Sequence, residues 1–158
     1  MKGFSLIELL VVIAITSILS LFAYESIGNF QSQSQVEAAS QELVSTLRSA
    51  QSKSRSGMIE LGGTYTPDGL PIYSVIVNGF VYTVRRTDTP LSTGVVENVD
   101  EETHQINSTL TVTPSSATVS FARVTGLPIS AQIFTLKKGT STTTKTITIA
   151  ANGLITVQ

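Results

Sequence analysis

The chain of 158 residues contains no cysteine, no tryptophan and a single histidine, His104. Without cysteine there is no disulfide, no thiol nucleophile and no cysteine-based metal site, so a folded domain must rely on its hydrophobic core. Charged residues make up only 13% of the chain and the formal net charge is -1. A whole-surface basic excess, as in many nucleic-acid-binding proteins, is therefore excluded.

Sequence patterns for enzymatic chemistry are also missing. There is no G-x-S-x-G nucleophile elbow, no P-loop and no Rossmann glycine pattern. His104 falls in a polar segment and is interpreted as an exposed loop histidine. We therefore predict no catalytic residue, no cofactor and no metal site, and the chain is not expected to be an enzyme.

A long apolar run at the start of the chain is the main positive feature. It extends from Phe4 to about Ala23, close to the ~20 residues that a membrane-spanning helix needs. It has no helix-breaking Gly or Pro. One carboxylate, Glu8, interrupts it, and a charge at the centre of such a helix costs about 2.5–3.5 kcal/mol in lipid. Glu8 therefore needs a functional explanation.

Three interpretations of this segment compete. A cleaved secretory signal would have a basic start and an A-x-A-like site after a short apolar run. Here Glu8 interrupts the run and no A-x-A follows it. A plain membrane anchor explains the length but leaves Glu8 unexplained. The third interpretation is a cut after Gly3, which makes Phe4 the new amino terminus and places Glu8 one helical turn along.

The stretch from Lys2 to Ile15, KGFSLIELLVVIAI, resembles the class III signal of type IV pilins and type II secretion pseudopilins. The shared motif is a basic leader ending in Gly, then Phe, then Glu at the fifth position after the cut. The resemblance implies that a prepilin peptidase cleaves between Gly3 and Phe4 and methylates the Phe4 amine. Lys2 would remain on the cytoplasmic side, as the positive-inside bias favours.

The same resemblance implies a role for Glu8 in filament assembly. A free α-amine titrates near ~8 and is mostly cationic at neutral pH, so it can partner a buried carboxylate. Glu8 would pair with the Phe4 amine in its own chain or in a neighbouring subunit, and would fix register more than stability. The alternative is a tolerated charge near the membrane interface.

After Ala23 the pattern becomes amphipathic. Apolar residues recur at helical spacing from Ile27 to Ala50 among Gln and Ser. One helix is therefore predicted from about Ser5 to about Ser56, with Gly57 as its natural end.

From Met58 the apolar period becomes two. Asn78-Gly79 between Tyr73–Val77 and Phe80–Val84 predicts a hairpin. Further strands are predicted at Leu110–Thr113, Thr118–Arg123, Gln132–Leu136, Thr146–Ala150 and Leu154–Val157, with turns at 114–116, 126–128, 139–141 and 152–153.

One helix followed only by strands predicts an α+β domain in which the helix packs on an antiparallel sheet. This is the fold that the pilin resemblance implies. The expected divisions are a leader at 1–3, a helix at 4–57 with a transmembrane half at about 4–23, and a β-rich domain at 58–158. Segments such as Val119-Ser120-Phe121 and Ile133–Leu136 further resemble the GspH/FimT group of minor pseudopilins and pilins.

The segment from Asp88 to Gln105 is rich in carboxylates, with Glu97, Asp100, Glu101 and Glu102. Carboxylate oxygens are calcium ligands, but the Asp-x-Asp-x-Asp-Gly pattern of a calcium loop is absent. The segment is therefore interpreted as an exposed, solvated loop.

The leading hypothesis for function is a structural filament subunit. Its expected partners are the prepilin peptidase, other pilin or pseudopilin subunits, an inner-membrane assembly platform and lipid. It would cross the inner membrane once, with the β domain outside the cytoplasm, before entering a pilus or pseudopilus. The alternative is a DNA-binding minor pilin. Residues 153–156, GLIT, lack the charges to meet a phosphate, and only Lys137, Lys138 and Lys145 form a weak basic cluster, so DNA is not expected as a partner.

Overall fold

A computed structural model describes residues 5–56, 71–89, 93–139 and 142–158, and describes the backbone alone at residues 21–27 and 29. Within these ranges the chain forms one long helix, α1 (Leu6–Ser56), followed only by strands. The strands are β1 (Ile72–Asn78), β2 (Val81–Asp88), β3 (Glu97–Gln105), β4 (Leu110–Thr113), β5 (Ser116–Phe121), β6 (Gln132–Lys138), β7 (Thr144–Ile149) and β8 (Ile155–Val157).

The strands form two four-stranded antiparallel sheets. Sheet 1 has the order β3-β2-β1-β5, and sheet 2 has the order β4-β6-β7-β8. The predicted hairpin at Asn78-Gly79 is confirmed, since Asn78 pairs with Val81 and Gly79 has a φ of +62°. The predicted turn at Asn152-Gly153 joins β7 to β8.

Helix α1 has 51 residues and is therefore about 77 Å long at 1.5 Å per residue. It contains no Pro and only one Gly, Gly28, so nothing in its sequence breaks the run of helical hydrogen bonds. Its second half packs on both sheets through one stripe, in which Val36, Leu43, Leu47 and Ala50 have no exposed surface. Full burial of one such Leu side chain stabilises the fold by about 1.5–3 kcal/mol.

The core lies between this helical stripe and the inner faces of the two sheets. Sheet 1 contributes its largest buried side chains from β1, β2 and β5, and sheet 2 from β4, β6 and β7. These side chains include Tyr73, Tyr82, Phe121, Leu110, Phe134, Leu136, Ile147 and Ile149. The helix therefore serves as the common support of two sheets that share no strand.

Polar contacts fix the last turns of α1. The Gln51 amide nitrogen Nε2 donates to the carbonyl of Gly126 at 3.0 Å and to that of Gly153 at 2.9 Å. Ser54 Oγ donates to the Phe121 carbonyl at 3.2 Å and accepts from the Tyr73 N–H at 3.1 Å. These side chains connect the helix end to strands and turns of both sheets.

The α+β class, the helix and its packing on antiparallel sheets are confirmed. The strands predicted at Leu110–Thr113, Thr118–Arg123, Gln132–Leu136, Thr146–Ala150 and Leu154–Val157 match β4 to β8 with small shifts at their ends. The strands are divided between two sheets, which the sequence had not indicated. Gly57 and residues 140–141 of the turn predicted at 139–141 lie outside the described residues.

The prediction of a solvated loop between Asp88 and Gln105 is wrong for Glu97–Gln105, which form β3 at the edge of sheet 1. An edge strand has one side of its backbone open, so charged side chains are common there and oppose aggregation. His104 is accordingly a strand residue. Its ring stacks on that of Tyr82, with a 5.0 Å centroid separation and 10° between the planes.

Candidate assembly surface

The start of α1 is stabilised by a cap. Ser5 precedes the first helical residue, and its Oγ accepts a hydrogen bond from the Glu8 N–H at 3.3 Å. The Ser5 carbonyl also accepts from the N–H groups of Glu8 and Leu9, at 3.1 and 3.2 Å. Ser5-x-x-Glu8 has the residue spacing of a capping box, in which a Ser cap is followed three positions later by Glu.

This cap gives Glu8 a second interpretation beside assembly, because an anion in the first turn is favourable at the positive end of the helix dipole. The signal was present in the sequence as S-x-x-E. The Glu8 side chain is exposed in the isolated chain. Gly3 and Phe4, the predicted cleavage and methylation site, lie outside the described residues, so the pairing of Glu8 with the Phe4 amine stays a prediction.

The first half of α1 has large apolar side chains on all sides, and those that the structure describes are not covered by the rest of the chain. Leu6 is 82% exposed and Leu19, more than three turns further on, is 62% exposed. The others are Ile7, Leu9, Leu10, Val11, Val12, Ile13, Ile15 and Ile18. A contiguous apolar surface of this size on a soluble protein marks a contact with a partner or a membrane.

Hydroxyl groups within this apolar half are satisfied inside the helix. Thr16 Oγ1 donates to the Val12 carbonyl at 2.9 Å, and Ser17 Oγ donates to the Ile13 carbonyl at 2.7 Å. Ser20 Oγ donates to the Thr16 carbonyl at 2.8 Å. Because these hydroxyls need no outside partner, the helix surface can enter an apolar environment without leaving them unpaired.

A membrane span is not found in the described part of the chain. No helix there combines the length and the apolarity that crossing a bilayer requires. The predicted transmembrane half at about 4–23 begins at a residue outside that part.

Carboxylates of β3 are bound by cations from α1 and β2. Lys53 Nζ lies 2.9 Å from Glu101 Oε2 and 3.0 Å from Glu102 Oε1. The hydrogen bond from Lys53 lowers the pKa of Glu102, and burial opposes it. Burial alone would lower the pKa of Lys53, but its bonds to the two carboxylates raise it above the usual value.

A second group of ion pairs surrounds the start of β3 and the end of β2. Arg85 Nε binds Asp100 Oδ1 at 2.6 Å and lowers the pKa of that carboxyl. Arg86 Nε lies 3.2 Å from the buried Asp88. Among the described residues, no group of three or more His, Asp or Glu side chains is arranged to hold a metal ion.

His104 lies between carboxylates of two elements. Its Nδ1 is 3.4 Å from Glu42 of α1, and its Nε2 is 3.4 Å from Glu102 of β3. Neither a nucleophile nor an oxyanion site accompanies it in the contacts of the described residues. His104 therefore links β3 to α1, and these contacts do not support a catalytic role.

The three lysines of the weak basic cluster lie on sheet 2. Lys145 Nζ is held by Glu37 Oε2 of α1 at 3.0 Å. Lys137 and Lys138 lie at the end of β6, where they oppose Thr111 and Leu110 of β4. The tail from Gly153 to Thr156 forms a turn and the start of β8, with no charged side chain.

Comparison with protein-family models matches residues 1–24 to the prokaryotic N-terminal methylation motif. The chain therefore carries, at its start, the class III signal found on type IV pilins and pseudopilins. No curated protein and no solved structure matches the chain. The narrower resemblance to the GspH/FimT group stays a prediction.

Proposed function

We propose that this chain is a structural subunit of a type IV pilus or a type II secretion pseudopilus. The observation that carries the proposal is the methylation motif at residues 1–24, which includes the start of α1, where apolar side chains are exposed on all sides. In this proposal the first half of α1 lies in lipid as a single span before assembly, and among the helices of neighbouring subunits afterwards. Sheets 1 and 2 face outward.

Processing precedes assembly in this scheme. A prepilin peptidase removes residues 1–3 and methylates the Phe4 amine, and Glu8 then pairs with that amine within or between subunits. The inner-membrane assembly platform moves the processed chain into the filament. None of these steps requires catalysis by the β domain. This agrees with the motif, because the proteins of the pilin family that have it are structural.

Processing is tested by the Gly3→Val variant. Branching next to the scissile bond should block cleavage, so the extracted protein should keep residues 1–3, whereas the wild type should lose them and gain one methyl group. Intact mass spectrometry of membrane extracts from cells with an active peptidase reads both changes. A wild-type chain that retained its first three residues would overturn the proposal.

Assembly is tested by separating the charge of Glu8 from its capping role. Glu8→Gln keeps a capping-box side chain but removes the charge, whereas Ser5→Ala removes the cap and keeps the charge. We expect Glu8→Gln and Glu8→Val to reduce the amount of the chain in sheared filaments relative to the membrane, and Ser5→Ala to leave it near wild type.

Filament content should fall in both Glu8 variants because the cationic Phe4 amine would be buried without a partner. Membrane insertion itself should be unchanged or improved, because a charge has been removed from the apolar helix. Wild-type incorporation of Glu8→Gln would refute the ion pair and leave capping as the role of Glu8.

A further inference from the structure

The β domain has two ends, which lie at different levels along α1. At one end, Ala39 of α1 lines a groove together with Ile106 and Leu110, and Glu37 Oε2 lies 3.0 Å from Lys145 Nζ. At the other end, side-chain bonds from the last turns of α1 reach the turns that follow β5 and β7. The first of these ends is therefore the one that faces the exposed apolar half of the helix.

This near end comprises three parts of the β domain: the β1–β2 turn at 78–80, the loop at 106–109, and the ends of β6 and β7 with Lys137, Lys138 and Lys145. The first two parts are joined by a hydrogen bond from the Ile106 N–H to the Phe80 carbonyl. The third part adjoins the loop, because Lys138 pairs across from Leu110, the residue that follows the loop. The three parts therefore lie at one level of the β domain.

An exposed aromatic side chain lies at the near end. Phe80 is 48% exposed in a two-residue turn, where polar residues are usual. Two backbone bonds hold this turn, since the Gly79 N–H donates to the Ser115 carbonyl at 2.6 Å and the Phe80 carbonyl accepts from Ile106 at 2.7 Å. A second ring, Phe30, is 74% exposed on α1 between the apolar half and the β domain. Such side chains are favourable at the boundary between lipid headgroups and acyl chains.

The near end is also basic. The β1–β2 turn has no carboxylate, and neither do the loop and the β6–β7 turn, because no Asp or Glu follows Glu102 in the sequence. Lys145 is held by Glu37 of α1. Lys137 and Lys138 have no ion pair with any described residue. These two lysines can therefore bind an anionic partner outside the β domain.

The two lysines point to opposite faces of sheet 2. Lys137 is opposite the exposed Thr111, and Lys138 is opposite the buried Leu110, so they do not form a patch on either face. They are, however, the last two residues of β6, and both can reach a surface that lies across the end of the strand. A bilayer surface has this orientation, because α1 leads from the near end to the apolar half that would lie in lipid.

An upright α1 would hold the near end away from lipid. Val36, where the buried stripe begins, lies about 20 Å along the helix from Ala23 at 1.5 Å per residue. The headgroup layer extends only about 5–8 Å beyond the hydrocarbon core. The helix between these residues has one charge, Glu25, which does not favour an anionic surface. Contact therefore requires the β domain to tilt toward the bilayer.

Gly28 lies within this intervening part of α1 and is the one glycine of the helix. Ser32 Oγ donates to the Gly28 carbonyl at 2.9 Å, and bonds of this kind often bend helices. Glycine and serine together are a common cause of helix bends. The helix therefore has a place to bend between its apolar half and the near end.

We propose that, before assembly, α1 bends at Gly28 and the near end docks on a bilayer surface that contains anionic lipid. Phe80 then enters the interface, and Lys137 and Lys138 meet the headgroups. The inference rests on the proposed function, because it takes the first half of α1 to lie in the same bilayer. The helix holds the β domain at high local concentration, so weak contacts suffice. Entry into a filament would release the near end from lipid.

The test measures how close each end of the β domain lies to lipid. The processed full chain is extracted and reconstituted into vesicles of phosphatidylethanolamine with phosphatidylglycerol, or of phosphatidylcholine alone. Since the chain has no cysteine, Ser108→Cys at the near end or Ala151→Cys at the other end provides one site for a fluorophore. A nitroxide on the lipid headgroup should quench the label at position 108 strongly in the anionic vesicles and weakly in phosphatidylcholine. The label at position 151 should be quenched weakly in both.

Three changes should each weaken the docking. Lys137→Gln with Lys138→Gln should lower the ratio of docked to free domain by about tenfold or more, since each lysine at an anionic surface contributes about fivefold. Phe80→Ser should lower it because serine suits the turn but has no ring to enter the interface. Gly28→Ala should lower it because alanine stiffens the helix, and its Cβ would have no atom within 4 Å.

Matched controls separate docking from general effects of the substitutions. Leu154→Ser removes an apolar side chain that is 58% exposed at the other end, and it should leave quenching at position 108 unchanged. Added salt should reduce the quenching in the anionic vesicles, because it screens exposed charges. Limited proteolysis should show that the variants remain folded, since none of the replaced side chains is buried.

The outcomes separate docking from the proposed function. Equal quenching at positions 108 and 151, or substitutions without effect, in a chain that is processed and present in sheared filaments would overturn this inference alone. Energy transfer between copies labelled at position 108, with weak quenching by lipid, would assign the near end to a second copy and overturn the choice of occupant. A wild-type chain that is neither processed nor found in filaments would overturn the proposed function, and the docking with it.

Discussion

Gly153 offers the sharpest test of how α1 is held on the sheets. Its φ is +83°, and a Cβ built at this position would lie 2.9 Å from Gln51 Nε2 and 3.3 Å from Leu127 Cδ2. The Gln51 amide would have to move, and it would then lose its bonds to the carbonyls of Gly126 and Gly153. Gly153→Ala should therefore strain the turn and also detach the helix end from it.

The expected magnitude follows from these two effects. A left-handed conformation costs an L-residue about 1–2 kcal/mol, and each lost hydrogen bond contributes about 0.5–1.5 kcal/mol net. Strain and the two lost hydrogen bonds together give a loss of about 2–5 kcal/mol in the free energy of unfolding. For a chain of this size, that corresponds to a fall in Tm on the order of 10 °C.

A matched variant isolates the contact with Gln51. Gly79 has a φ of +62° and nothing within 4 Å of a built Cβ, so Gly79→Ala should cost only the conformational strain, about 1–2 kcal/mol. Thermal unfolding of the detergent-solubilised chain, followed by circular dichroism, measures both. In a Gln51→Ala background the added cost of Gly153→Ala should shrink toward that of Gly79→Ala. Equal costs for the two glycine variants, or full additivity with Gln51→Ala, would refute the reasoning.

Three further outcomes are expected. Leu47→Ala, which empties a fully buried position, should lower the free energy of unfolding by about 2–5 kcal/mol in denaturant titration. Glu102 has a pKa below its usual 4.5 because Lys53 binds it, so its stabilising effect is present above that pH and is lost as pH falls through the lowered pKa. Glu102→Gln should therefore lower Tm slightly at neutral pH and not in acid below the lowered pKa, and the same difference in both conditions would contradict the ion pair. Duplex DNA should bind the chain no tighter than about millimolar at physiological salt, and a micromolar, salt-sensitive Kd by fluorescence anisotropy would restore the DNA-uptake alternative.

The elements that were predictable from the sequence are those whose defining residues are close together in the chain or lie on one face of a single helix or strand. The stripe through Leu43 and Leu47 indicated the helix, and Asn78-Gly79 indicated a hairpin, because each pattern follows from local geometry. The methylation motif was readable for the same reason, since its elements are contiguous. The Ser5-x-x-Glu8 cap is also a local pattern. It was missed because Glu8 was interpreted only as a charge in lipid or as the partner of another subunit.

Strand β3 was not predictable from its own residues. Its carboxylates suggested solvent because they show no apolar alternation, yet their partners Lys53, Arg85 and Arg86 come from other elements. His104 was misplaced for the same reason, since only the fold brings Tyr82 beneath its ring. The division into two sheets likewise depends on long-range pairing, and both sheets are completed by strands that are distant in sequence.

The contacts that hold the second half of α1 on the two sheets have a mechanical consequence. A pull on the start of the helix is transmitted along about 45 Å of α1 to contacts that begin near Val36 and end at Ser54. The load acts along the contact, so the packed stripe and the side-chain bonds of Gln51 and Ser54 must shear together and cannot open one after another. Tension on the helix would therefore be shared by both sheets, and the β domain should stay attached under forces that would peel off a helix held at one end only.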